Sequence, residues 1–166
     1  VSYGIMNPGG HLEMTTAVID GLQKLVSGAA EQAGMAVEDV VEIVLVGNRV
    51  MHHLLLGIDP IELGGAPFAL AVDSAVELSV AQIGIVANKG ARVYVLPCIA
   101  GHVGADAAAV VLAEAPQKSD EMMLIVDVGT NAEIVVGNKQ RLLAASSPTG
   151  PAFEGAQISS GQRAAP

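Results

Sequence analysis

A single cysteine, Cys98, stands in a chain of 166 residues. One thiol excludes an intrachain disulfide framework. With no convergent set of histidines, it also excludes an iron–sulfur cluster or structural zinc built from this chain alone. Positive charge is scarce as well, with 8 Lys and Arg against 17 Asp and Glu for a net charge of −9. Nucleic-acid backbones and anionic membrane surfaces are recognised through basic faces, so neither is an expected partner. The chain also lacks the ~18 consecutive apolar residues that mark a membrane span, and no signal peptide is visible. These absences suit a cytoplasmic protein whose acidity serves solubility.

What remains is an α/β pattern in which 51% of residues are hydrophobic, ample for a core. Met14, Val18, Leu22, Leu25, Val26, Ala29 and Ala33 recur at helical spacing. They predict an amphipathic helix around Glu13 to Ala33, ended by Gly34. Ile43 to Val46 reads as a short buried strand, and Asn48 as the cap of a helix running to Gly57. After a loop over residues 60–73, Ser74-Ala75-Val76-Glu77 fits a capping box opening a helix that Gly84 closes. A strand over Arg92 to Leu96 and an alanine-rich helix over Ala105 to Ala115 follow, with Pro116 as the stop.

Leu124 to Val136 is the most informative stretch. An apolar strand ends in Asp127, turns through Gly129-Thr130-Asn131 and returns as a second apolar strand. Such a hairpin can grip phosphate: Gly129 leaves backbone open to phosphate oxygens, and Thr130 and Asn131 add short polar groups. Asp127, at the rim of a buried strand, is suited to position a hydrated Mg²⁺, a metal held by one or two carboxylates together with substrate phosphates. The competing reading is an ordinary hairpin loop with Asp and Asn chosen for turn geometry. Gly137-Asn138 marks a tight turn, and Arg141 to Ser146 returns as a third strand. Ile43 to Asn48 and Leu124 to Asn131 both pass from an apolar strand through Val-Gly to a small polar residue, a weak echo of duplication.

Asp-x-Gly-Thr at a strand end resembles the phosphate loops of the superfamily of acetate and sugar kinases, Hsp70 and actin. Three further blocks sharpen the match: Val46-Gly47-Asn48 with Met51 to Gly57, Leu96-Pro97-Cys98 through Asp106, and Gly150-Pro151-Ala152-Phe153-Glu154-Gly155-Ala156. In that order they resemble the C-terminal ATPase domain of the reductive activators of corrinoid proteins, over nearly the whole chain.

The resemblance implies an α/β, ribonuclease-H-like, actin/Hsp70-type ATPase fold, present here incompletely. Residues 1–116 would form part of a first lobe with helices and short strands, 117–121 a polar linker, and 122–166 the start of a second lobe carrying the phosphate hairpin. It implies ATP and Mg²⁺ as cofactors. It also implies an N-terminal plant-type 2Fe–2S domain, which would need four cysteines and is absent from this chain. The activity implied is ATP-dependent return of Co(II) corrinoid on a methyltransferase partner to Co(I). Two alternatives stand beside it: a non-catalytic module docking a corrinoid protein, and a small-molecule kinase of the same superfamily.

The expected nucleotide contacts are Asp127, Gly129, Thr130, Asn131, Gly150 and Gly155, the last two through a helix N-terminus near the phosphates. The alternative for Gly150 to Gly155 is a simple Gly/Pro connection. Asp127 is the expected metal ligand and, with Glu154 as a water-orienting acid, the expected catalytic pair. Cys98, His102 and Asp106 invite a nucleophile-and-base reading, but a lone Cys after an apolar strand reads better as a small buried hydrophobe. Gly101 and Gly104 read as points of close backbone approach. His52 and His53 are adjacent on the predicted helix and diverge, so one half-buried and one exposed imidazole are expected rather than a metal site. The methionines read as core or interface filler. The chain begins at Val1 and ends at Pro166, and reads as part of a longer fold; an apolar piece of that kind is expected to self-associate as a homo-oligomer.

Overall fold

The computed structural model describes residues 1–129 and 131–149. The chain divides into two compact units, Val1–Ala108 and Ala109–Pro166, with the boundary inside a helix.

The first unit opens with α1 (Ser2–Met6) and the long α2 (Gly10–Gln32). Gly34 stops α2 as expected: it takes a left-handed φ of 67° and donates its N–H to the Glu31 carbonyl at 3.0 Å. Three short strands follow, β1 (Glu42–Leu45), β2 (Val76–Ser79) and β3 (Arg92–Val95). They form one sheet in the order β1-β3-β2, with β1 parallel and β2 antiparallel to the central β3. Val93 and Val95 of β3 are fully buried. They join Leu55, Val80, Ile85, Ala87 and Ala91 in a core against which α2 packs Val18, Ile19 and Leu22.

Between β1 and β2, α3 (Arg49–Leu55) is capped as its sequence predicts. The Asn48 side-chain oxygen accepts the N–H groups of Val50 and Met51, each at 3.0 Å. After β3, α5 (Ala105–Glu114) ends ahead of Pro116, which opens a short 3₁₀ turn over Pro116–Lys118.

Four expectations for this unit need correction. Val76 and Glu77 belong to β2 rather than to a helix. The capping box lies at Ser79, whose N–H meets the Gln82 side-chain oxygen at 2.8 Å, and it opens only the single turn α4 (Val80–Ile83) before Gly84. The strand at Ile43 is not buried on both sides: Val44 lies on the sheet face shared with Tyr94 and Glu77 and is exposed. The methionines are largely surface residues, with Met6, Met35 and Met51 exposed. The echo of duplication does not reach the topology, since Gly47-Asn48 leads into a helix and Gly129 into a hairpin.

The second unit is an antiparallel meander of β4 (Met123–Val128), β5 (Asn131–Asn138) and β6 (Arg141–Pro148), with β5 central. The three consecutive antiparallel strands match the sequence reading. The turn does not fall at Gly137-Asn138, which remain in β5, but at Lys139-Gln140. Gly137 is glycine for another reason: a Cβ there would sit 2.0 Å from the Arg141 carbonyl oxygen. Lys139 donates its N–H to the Ser119 carbonyl at 2.9 Å and its ammonium pairs with Asp120, tying the preceding polar segment to this turn. β4 is half-buried on one face only. Met123, Ile125 and Asp127 face inward, while Leu124, Val126 and Val128 are exposed, so the strand expected to be buried is open on one side.

Candidate functional site

The hairpin joining β4 to β5 places Asp127 opposite Glu133 and Val128 opposite Ala132. Glu133 in turn lies opposite Ser146 of β6. Asp127, Glu133 and Ser146 therefore form one row across a single face of the sheet. Ser146 donates its hydroxyl to the Glu133 carboxylate at 3.0 Å. Asp127, half-buried, has no hydrogen bond or ion pair among the described residues.

Gly129 is exposed at the mouth of this hairpin. Its N–H donates to the Asn131 carbonyl at 2.8 Å, and its carbonyl accepts the Thr149 hydroxyl at 2.8 Å. That N–H is thus committed inside the turn. A Cβ at Gly129 would meet nothing nearer than the Asn131 oxygen at 3.6 Å, and its φ is not left-handed. Neither strain nor packing among the described residues calls for glycine here. Asn131 opens β5 beside it. Thr130, Gly150, Glu154 and Gly155 lie outside the described residues.

The second cluster, around Cys98, does not assemble a thiol enzyme. Cys98 is buried, and burial pushes its thiol above the usual range. His102 is turned elsewhere: its Nδ1 accepts from the Arg49 guanidinium at 2.6 Å, and its ring lies 4.4 Å from that of Phe68. Asp106 accepts the N–H of Ala107 at 2.9 Å. Gly101 and Gly104 are close-approach positions, as read. A Cβ at Gly101 would fall 2.4 Å from the Phe68 carbonyl oxygen, and one at Gly104 would fall 2.8 Å from the Asn48 Cα.

Both histidines of α3 are buried, so the expected exposed imidazole does not exist. The helix is covered all round over residues 52–55. His53 donates Nδ1–H to the Arg49 carbonyl at 2.8 Å and accepts the Ala71 N–H on Nε2 at 3.0 Å, which settles its tautomer. His52 has its pKa lowered, chiefly by burial and then by the neighbouring His53. Among the described residues no three His, Cys, Asp or Glu side chains gather as a metal site, and no helix is long and apolar enough to cross a membrane.

Sequence reasoning overlooked Glu133 and Arg49. The period-two pattern of β5 contained the signal for Glu133, once the hairpin register was counted from the turn. Arg49 left no such trace, because its partners Gly101 and His102 are distant in sequence.

An α/β chain with an antiparallel meander and an acid-bearing hairpin defines the class: a ribonuclease-H-like fold of the actin/Hsp70-type ATPases. Two family models match it, "RACo middle region" over residues 1–119 and "C-terminal domain of RACo the ASKHA domain" over residues 121–166. The chain belongs to the RACo family, the reductive activators of corrinoid proteins. It is 35% identical over 147 residues to the corrinoid activation enzyme RamQ of Eubacterium limosum, a match covering 89% of this chain and 24% of that protein. It is 42% identical over 75 residues to a Co(II) methylated amine-specific corrinoid protein reductase of Methanosarcina barkeri, covering 45% of this chain and 14% of that protein. A solved reductive activator for corrinoid, iron–sulfur protein superposes with a TM-score of 0.86 at 34% identity, covering 98% of this chain and 26% of that one. The chain spans about a quarter of the length of the relatives it matches most fully.

Proposed function

We propose that this chain supplies the phosphate hairpin and part of the partner surface of an ATP-dependent reductive activator. The whole protein would return Co(II) corrinoid, carried on the corrinoid protein of a methyltransferase system, to Co(I). The observation that carries this reading is the carboxylate of Asp127, without a partner among the described residues, beside the side-chain-free Gly129. The names of the relatives, a corrinoid activation enzyme and a Co(II) corrinoid protein reductase, support the substrate.

The donors present fit Mg²⁺ with nucleotide. Asp127 and Glu133 offer hard oxygen atoms from facing positions, and two carboxylates leave the remaining positions to phosphate and water. Bound Mg²⁺ neutralises phosphate charge. Asp127 would hold the ion, Gly129 would admit phosphate close to the backbone, and Asn131 would contribute a polar group at the start of β5. The resemblance would add Thr130, Gly150 and Gly155 as phosphate contacts and Glu154 as the acid orienting water. The two lobes of such a fold divide at 117–121, a division supported by the change of family match after residue 119. The chain alone binds ATP weakly, because part of a clamp gives up preorganised contacts. The electron-carrying 2Fe–2S centre needs cysteines that this chain does not supply. The setting is cytoplasmic, and exposed Leu124, Val126 and Val128 favour self-association or partner docking.

The decisive experiment places Asp127→Asn in a full-length activator built around this sequence. ATP hydrolysis and ATP-dependent Co(II) reduction should both fall by an order of magnitude or more. Cluster absorbance and circular dichroism should stay unchanged. Full activity would make Asp127 a turn residue and favour the docking-module reading.

A further inference from the structure

Ser146 of β6 completes the row that Asp127 of β4 and Glu133 of β5 begin. On the same face the two rows behind it are Ile125-Val135-Ala144 and Met123-Gly137-Leu142, neither with a polar side chain. The polar row therefore stands apart, next to the β4–β5 turn. Within it Ser146 Oγ donates to Glu133 Oε1 at 3.0 Å, and both residues are half-buried. Glu133 Oε2 has no hydrogen bond or ion pair among the described residues, and neither has the Asp127 carboxylate.

The two acids differ in what it takes to hold them still. Glu carries one more side-chain torsion than Asp, and fixing a long, rotamer-rich side chain costs conformational entropy. Mg²⁺ demands near-ideal octahedral geometry, so a wandering carboxylate makes a poor ligand. Carboxylates that bind metals are themselves held by hydrogen bonds from behind. A hydroxyl on one oxygen does this for Glu133, because an ionised carboxylate has lone pairs to spare on both oxygens. Asp127, the shorter side chain, has no such brace among the described residues.

We propose that Ser146 is a positioning residue for the Asp127–Glu133 pair: its hydroxyl fixes the Glu133 carboxylate so that the two acids present a preorganised set of oxygens to Mg²⁺ with nucleotide. Ser146 acts through Glu133, and the proposal rests on the metal reading of that pair.

Mg²⁺ titration at a fixed, saturating concentration of ADP tests this in a full-length activator built around this sequence, with the shift in melting temperature read against ion concentration. Ser146→Ala should move the midpoint of that shift to about 10–100-fold higher Mg²⁺. Ser146→Thr, which keeps the hydroxyl on a residue suited to a strand, should restore it. A purely structural contact would lower the melting temperature of Ser146→Ala in ion-free buffer and leave the Mg²⁺ midpoint where it was. That result, or a shifted midpoint that Ser146→Thr does not restore, overturns the proposal and leaves the Asp127–Glu133 reading standing. A wild type whose melting temperature ignores Mg²⁺ overturns that reading and the proposal with it.

Discussion

Asp127 and Glu133 face each other directly across the β4–β5 pair, two carboxylates on one face of a three-stranded sheet. Of the two, among the described residues, only Glu133 accepts a hydrogen bond, from the hydroxyl of Ser146. Like charges at opposed positions destabilise a sheet by roughly 0.2–1 kcal/mol.

That repulsion gives the metal reading a measurable sign. In metal-free buffer, Asp127→Asn or Glu133→Gln should each stabilise the chain by up to about 1 kcal/mol. Added Mg²⁺ should raise the melting temperature of the wild type and leave both variants unmoved. Thermal melts with and without the ion suffice, and a wild type indifferent to Mg²⁺ would remove the metal from this pair.

Two glycines should respond in opposite directions to the same substitution. Gly137→Ala drives a methyl group into the Arg141 carbonyl at a φ of 148°, and should cost 2 kcal/mol or more by order of magnitude (~2). Gly28, inside α2 with open space around its missing Cβ, should gain about 0.5–1 kcal/mol as alanine. Urea denaturation compares them, and a neutral Gly137→Ala would mean that β5 and β6 separate more easily than their register suggests.

Stability should fall with acidity through His52. Its folded pKa lies below the ordinary 6.5, so the unfolded chain binds the extra proton first. The contribution is therefore complete above about pH 6.5 and is lost as pH falls from there toward the depressed folded value. Denaturation midpoints between pH 5 and 8 should show this slope in the wild type, and His52→Phe should flatten it. An unchanged slope in the variant would assign the acid sensitivity to other groups.

Cys98 should be a poor nucleophile in the folded chain. Burial both shields its thiol and raises its pKa. Alkylation should be slow in buffer and rapid in denaturant; fast labelling of native protein would show that the turn around Gly101 opens readily.

The features readable from the sequence were those whose physics is local. The periodicity of α2, the Asn48 cap, the stop at Pro116 and the acid-ended hairpin each need only a few neighbouring residues. The capping box was misplaced because Ser74 and Ser79 both precede a suitable partner by three residues, and only pairing with β3 makes Val76 to Ser79 extended. The burial of both His52 and His53 is not legible in the sequence, because it is set by elements distant in the chain that cover α3 at those positions. Glu133 emerged as part of the candidate site only when the strand register set it against Asp127.

The contrast between the two sheets has a kinetic consequence. The β4-β5-β6 meander joins neighbours in sequence, and hairpins of that kind form in roughly 1–10 μs. The β1–β3 pair must wait, because its parallel strands flank α3, a long loop, β2 and α4, and loop closure precedes any reward from pairing. During synthesis β1 emerges well before β3, leaving the edge that β3 will pair open in the interval. Chaperone capture of the nascent chain around this sheet should therefore concentrate on β1, and fade once Arg92 to Val95 has left the ribosome.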